Sequence, residues 1–173
     1  MIRAAALLPL ALLAGTAIAS AVPDSIVAPC SAPEYRQFDF WVGDWEVRNP
    51  KGDLVGTNVV SRRFGDCVIQ EHWNGKRGLE GSSFNIYDPA ARKWHQTWVD
   101  SQGTLLLLSG EFRDGTMTLA GESPSGAGGG KIALQRITWQ PQADGRVRQL
   151  WESSGDAGKT WSVVFDGMYS SKP

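Results

Sequence analysis

The sequence predicts an all-β chain, an antiparallel up-and-down β-barrel of about ten strands preceded by one short N-terminal helix. Three observations carry this. Short runs of β-branched and aromatic residues alternate with turn dipeptides such as Asn74-Gly75, Asp114-Gly115 and Asp144-Gly145. Only one segment has helical spacing. Finally, 20 Gly and 8 Trp in 173 residues suit a β-rich chain whose aromatic side chains are either core or binding surface. The length is that of one domain. Lys+Arg (17) and Asp+Glu (18) nearly cancel, and no basic block offers a footprint for nucleic acid. Beyond the N-terminus no apolar run is long enough to span a bilayer.

Residues 1–21 read as a signal peptide. Arg3 supplies the positive end, Ala4 to Leu13 the apolar stretch, and Ala17-Ile18-Ala19 or Ala19-Ser20-Ala21 the small-residue cleavage site. A retained anchor fits less well, because the apolar stretch is short and its far flank is small rather than charged. A lipoprotein is disfavoured because Cys30 lies well past that stretch and follows Pro29. A periplasmic or secreted location follows, and there the even pair Cys30 and Cys67 is most simply a disulfide. It would close a loop of about 38 residues, worth roughly 4 kcal/mol in the chain-entropy model. A redox role lacks a Cys-x-x-Cys motif.

Residues 22–32, with Pro23 and Pro29, form an extended lead-in, and 33–173 make a single barrel domain. Ser31-Ala32-Pro33-Glu34 fits a capping box, Tyr35, Phe38, Trp41 and Val42 follow at helical spacing, and Gly43 is placed to end the helix, which is expected over about 33–42. Strands are expected at about 44–49, 54–64, 67–74, 79–88, 93–100, 105–112, 116–123, 131–140, 146–153 and 161–169. Tight sequential hairpins make neighbours antiparallel. With no helices to cover a sheet, closing it on itself removes exposed edges, which favours a barrel over a sandwich. Ser125 to Lys131 is Gly-rich, but Ile132 stands where a phosphate loop needs Ser or Thr and no helix follows, so a hairpin loop is the better reading.

Ser154-Gly155-Asp156-Ala157-Gly158-Lys159-Thr160-Trp161 resembles the Asp-box hairpin repeated in sialidase propellers. It implies a local turn, with Asp156 bonding turn amides, Gly158 at positive φ and Trp161 packed beneath. A single copy cannot build a propeller. The broader resemblance covers nearly the whole chain after the leader. A short apolar helix running into Gly43-Asp44-Trp45 and then a string of hairpins looks like the Gly-x-Trp opening of the lipocalin (calycin) superfamily, in which the helix plugs the barrel base and the Trp packs inside it. Phe38 to Trp45, Glu71-His72-Trp73, Tyr87-Asp88-Pro89, Trp98-Val99-Asp100, Arg136 to Trp139 and Gln149 to Glu152 resemble an exported bacterial family of unknown function with a lipocalin-like barrel. That likeness implies a fold and a compartment, not an activity. The nitrobindin-type haem barrels extend the motif with two further glycines, where Val47 and Asn49 stand here, and use a late His, whereas none follows His95. No haem or other cofactor is implied.

Strand parity separates lumen from outside. Val147, Gln149, Trp151 and Ser153 are expected inside, as are Trp161, Val163, Phe165 and Tyr169, and Trp94, Gln96, Trp98 and Asp100. The Glu71/Trp73 face is favoured over the His72 face, the Asn85/Tyr87 set over Phe84/Ile86, and Arg136/Thr138 over Ile137/Trp139. The candidate ligand site then has aromatic walls, Trp73, Tyr87, Trp98, Trp151 and Phe165, and polar groups, Glu71, Asn85, Gln96, Arg136 and Gln149. Such a lining suits a small apolar or amphipathic molecule. Against it stands a packed core, because each buried Trp removes about 200 Å² from water. Of the eight Trp, Trp41 is assigned to the plug, Trp45 to the barrel base, Trp161 to a hairpin and Trp139 to the outside or an interface. Leu105 to Leu108 is apolar on both faces, so one face needs cover from the chain's own loops or a partner; a monomer or weak dimer is expected.

His72 and His95 are the only histidines, and no His-x-x-x-His, Gly-x-Ser-x-Gly or acidic ligand cluster appears, so no metal site and no catalytic set is nominated. The enzyme reading would use Glu71 or His72 as a base opposite Arg136 in an isomerase- or lyase-type proton transfer. The third reading is a structural or partner-binding envelope domain with a filled core.

Overall fold

The computed structural model describes residues 28–124 and 131–172; the leader, most of the lead-in and the Gly-rich 125–130 lie outside the described residues. The turn signals become hairpins joining β1 (Gly43–Arg48), β2 (Leu54–Arg63), β3 (Val68–Gly75), β4 (Glu80–Asp88), β5 (Lys93–Asp100), β6 (Leu105–Arg113), β7 (Thr116–Pro124), β8 (Ile132–Pro141), β9 (Val147–Ser154) and β10 (Ser162–Ser171). Each strand is antiparallel to the next, and β1 pairs with β10, Trp45 opposite Ser171 and Arg48 opposite Met168, closing the barrel. Closure leaves no unpaired edge among the described strands. Asp114 and Gly115 both take positive φ (50° and 77°), the geometry a two-residue hairpin demands. Asn74-Gly75, expected as a turn, instead ends β3, and the chain reverses over the next residues, where the Gly75 amide donates to Leu79 O at 2.8 Å.

The N-terminal helical segment is two 3₁₀ turns, Pro33–Arg36 and Asp39–Trp41, rather than one continuous helix. The expected capping box does not form: Ala32 is the N-cap and no side chain bonds the first turn. The physical reason lies in the spacing. Tyr35, Phe38 and Trp41 recur at three residues, and a 3₁₀ turn brings i and i+3 onto one line. Phe38 and Trp41 accordingly stack, centroids 4.9 Å apart and planes at 19°. Both are fully buried, Phe38 also meeting the edges of Trp94 and Trp139 at 5.6 and 5.1 Å. Trp45 donates its indole N–H to Trp41 O at 3.0 Å. This aromatic plug fills one end of the barrel.

Two tethers hold the plug. Cys30 and Cys67 form a disulfide between the lead-in and the β2–β3 turn, with Cα atoms 5.1 Å apart. The Arg62 guanidinium on β2 makes paired bonds to both carboxylate oxygens of Asp39, at 3.0 and 2.5 Å. On the outer wall Leu105 and Leu107 remain about half exposed (53% and 49%), with Val99 opposite Leu105 on β5 and Phe84 beyond Thr97 on β4. Among the described residues no loop covers them, contrary to expectation. No described helix is long and apolar enough to cross a membrane.

Candidate functional site

The plug occupies the end of the barrel where β1 begins. Away from it, the lumen contains a cavity of about 330 Å³ that extends to the hairpins at the opposite end. Alternation supplies its lining. On β3, Ile69, Glu71 and Trp73 are buried while His72 is exposed. On β5, Trp94 and Gln96 are buried, and on β9 Val147 and Gln149 are. Of the expected polar candidates Glu71, Gln96 and Gln149 line the cavity, and of the expected walls Trp73, Trp98, Trp151 and Phe165 do. Tyr169, Leu106 and Ile137 complete the lining, the last two opposite Trp98 and Trp151, and Leu79, Asp100, Gln102 and Thr104 stand toward the outer end.

Three candidates sit elsewhere. Arg136 is on the outer face of β8, where its Nη2 lies 2.8 Å from Glu152 Oε2 and its guanidinium carbon 4.1 Å from the Trp161 ring centroid. The buried face of β8 is Ala133, Gln135, Ile137 and Trp139. Trp139 is thus core against the plug rather than outward: burying an indole and an Ile is favourable, whereas the Arg136 guanidinium finds its carboxylate, Glu152, on the outer face. Tyr87 points inward but at the plug end, against Tyr35 and Trp94. Asn85 is fully buried beneath the cavity rather than lining it. Trp94, also considered for the pocket, packs on the plug and donates to Gln37 Oε1 at 3.1 Å.

On β10 the register with β9 shifts between Val163 and Phe165. This bulge inverts the parity of the strand's first residues: Val163 is exposed at 62%, Val164 lines the cavity, and Trp161 lies outside beneath Arg136. The preceding Asp-box turn is formed as expected. Asp156 accepts from Ser154 Oγ, Thr160 N and Thr160 Oγ1 at 2.8, 2.9 and 2.6 Å, and these bonds, led by the Thr160 hydroxyl, hold its carboxyl at about 2. Gly158 has φ +86° and Trp161 donates to Gly158 O at 3.2 Å.

The floor is a buried polar network. Glu71 accepts from Asn58 Nδ2 at one oxygen and from Ser83 Oγ at the other, both at 2.7 Å. Asn85 donates to Ser83 Oγ at 2.9 Å and to Ile69 O at 3.1 Å, and Gln96 donates to Asn85 Oδ1 at 2.8 Å. Tyr169 donates its hydroxyl to Gln149 Oε1 and lies 3.4 Å from Asn58 Nδ2. Both bonds to Glu71 come from neutral donors. Burial therefore dominates and pushes the carboxyl up to about 7, opposed by the bonds from Ser83 and Asn58. Burial, then the charge of Glu71, also raises the Tyr169 phenol well above 10. Asn58, fully buried, was not among the candidates; alternation of Gly56, Asn58 and Val60 on β2 was the signal for it.

Two wall indoles have their N–H groups engaged by the protein. Trp98 donates to Asp100 Oδ2 at 3.2 Å and Trp151 to Gln135 Oε1 at 2.8 Å. Asp100 is opposed by partial burial but holds its carboxyl below the usual range through bonds from Thr104, Trp98 and Gln102. Trp73 meets Phe165 edge-to-face at 5.7 Å, linking β3 to β10. Neither histidine approaches the cavity: His72 contacts Ser82 and Glu80, and His95 contacts Ser109 and Thr97, all on the outer face. Among the described residues no group of three His, Cys, Asp or Glu converges as metal ligands. No protein-family model matches the chain, and no curated protein matches it either.

Proposed function

We propose that the chain is an exported, lipocalin-like binding protein that holds a small apolar or amphipathic molecule in the barrel lumen. The cavity carries this reading: about 330 Å³, walled by Trp73, Trp98, Trp151 and Phe165 over a polar floor of Glu71, Gln96, Gln149 and Tyr169. Small-molecule sites have this composition, apolar walls supplying affinity and sparse polar groups fixing orientation. The Cys30–Cys67 disulfide suits an oxidising compartment and so supports export. The test is native mass spectrometry of protein purified from a periplasm, with titration by the neutral fluorophore N-phenyl-1-naphthylamine. A retained small molecule, or saturable dye fluorescence with Trp quenching, is the expected result. A clean apo mass with no dye response overturns the reading.

A second reading, an isomerase- or lyase-type proton transfer, draws on Glu71, whose carboxyl, pushed up to about 7, can hold or release a proton near neutrality. Arg136, expected opposite this base, is outside with Glu152, so Glu71 would act with Tyr169 and Gln149. Exchange of a ligand C–H for deuterium from solvent, lost in Glu71→Gln, is the outcome this reading requires.

A further inference from the structure

The charges around the cavity are one-sided. Among the described residues its charged lining consists of Glu71 at the floor and Asp100 toward the outer end, with no Lys, Arg or His. The basic residue expected there, Arg136, is on the outside with Glu152. Donors are also largely spent: the N–H groups of Trp98 and Trp151 and the hydroxyl of Tyr169 go to protein acceptors. What remains is a buried carboxyl held by two neutral donors, beneath aromatic carbon. A buried carboxylate without a cation is costly, and aromatic faces attract positive charge. An anionic ligand would add a second negative charge to the same low-dielectric space.

We propose that the lumen selects a small aromatic or otherwise flat apolar amine, its protonated nitrogen on the Glu71 carboxylate and its apolar body between Trp73, Trp98, Trp151 and Phe165. This rests on the binding function proposed above and deepens it by fixing the sign of the ligand's charge. The cation supplies the counter-charge that the protein's own residues do not, and N⁺–H donors meet an acceptor-rich floor. Binding the cation favours the ionised carboxyl, so it releases a proton near neutrality and affinity rises with pH. Around Glu71, β2 contributes Asn58, β4 Ser83 and β9 Gln149, none of which titrates in this range. On β10 the Tyr169 phenol stays protonated and on β5 Asp100 stays ionised throughout.

The experiment is isothermal titration with three probes sharing one indole body: tryptamine (cationic), tryptophol (neutral) and indole-3-propionate (anionic). At pH 8 tryptamine is expected to bind about tenfold or more tightly than tryptophol, with indole-3-propionate weakest. Tryptamine affinity rises from pH 6 to pH 8 while tryptophol affinity stays level, and Glu71→Gln removes the advantage of tryptamine while keeping tryptophol. The wild-type comparison and its pH profile stand even if the variant folds poorly. Equal or tighter binding of tryptophol or indole-3-propionate overturns the proposal, as does failure of all three probes. In either case saturable binding of N-phenyl-1-naphthylamine leaves the wider binding function intact, and its failure removes both.

Discussion

Asn58 on β2 donates a 2.7 Å hydrogen bond to Glu71 on β3, and both side chains are buried, at 0% and 4% exposure. The bond joins adjacent strands at the floor of the cavity, and Ser83 on β4 completes the carboxyl's shell from the other side. A titratable group has thus been placed where ionisation is opposed by burial and only partly favoured by neutral donors.

Stability should fall as pH rises through this group's range. Native Glu71 keeps its proton to about 7, whereas the unfolded chain loses it near 4.5. Between those values the unfolded state binds fewer protons, so stability is full below the lower value and decreases until the upper one is passed. The loss is about 3 kcal/mol at most. Glu71→Gln can keep the Asn58 bond with its carbonyl and donate to Ser83 Oγ, so urea denaturation should give a variant more stable than wild type at pH 8 and level from pH 4.5 to 8. A variant markedly weaker than wild type at pH 8 contradicts the assignment.

Reduction should loosen the plug. The Cys30–Cys67 bond closes the chain around both 3₁₀ turns and the first hairpin, and its removal in Cys67→Ser costs up to about 4 kcal/mol of unfolding free energy. Thermal unfolding with and without reductant reads this directly; coincident curves would mean that Arg62–Asp39 and aromatic packing suffice.

Glycines make room for the cavity walls. A Cβ on Gly81 would stand 2.4 Å from Trp98, and one on Gly56 2.6 Å from Trp73. Gly81→Ala should therefore displace Trp98, costing about 1–3 kcal/mol and weakening dye binding in the lumen. Unchanged affinity and stability together would show that the indole can move aside freely.

Arg136 and Trp151 should separate outer wall from lumen. Arg136→Ala breaks a partly exposed pair with Glu152, worth about 0–1 kcal/mol, and leaves affinity for N-phenyl-1-naphthylamine unchanged. Trp151→Ala removes a wall and the partner of Gln135 Oε1, and should weaken the dye about tenfold or more. Fluorescence titration decides; a loss on removing Arg136 would return that residue to the lumen.

Strand order, hairpins and the inward face of β3, β4, β5 and β9 were legible in the residues, because turn chemistry and two-residue alternation are local signals. β8 was misread. Arg136/Thr138 and Ile137/Trp139 alternate equally well, and the preference for polar groups in a ligand site pointed the wrong way. The early part of β10 was unreadable for another reason: a bulge at Val164 shifts parity by one residue, and nothing in Val163-Val164-Phe165 announces it. Asn58 was legible but overlooked, a polar residue between Gly56 and Val60.

The abundance of Gly and Trp was visible at once as a property of a β-rich chain. That the two belong together was not: Trp45 lies against Gly43, Trp73 against Gly56 and Trp98 against Gly81, each at a distance that leaves no space for a side chain. Amino-acid order by itself determined the number of strands, their antiparallel succession and the closure they favour, since these follow from local turns and the cost of open edges. Only the tertiary structure decided which indoles became plug, which became cavity wall, and that Glu71 rather than Arg136 supplies the buried charge, because those outcomes depend on cross-barrel neighbours and on where burial is repaid by packing.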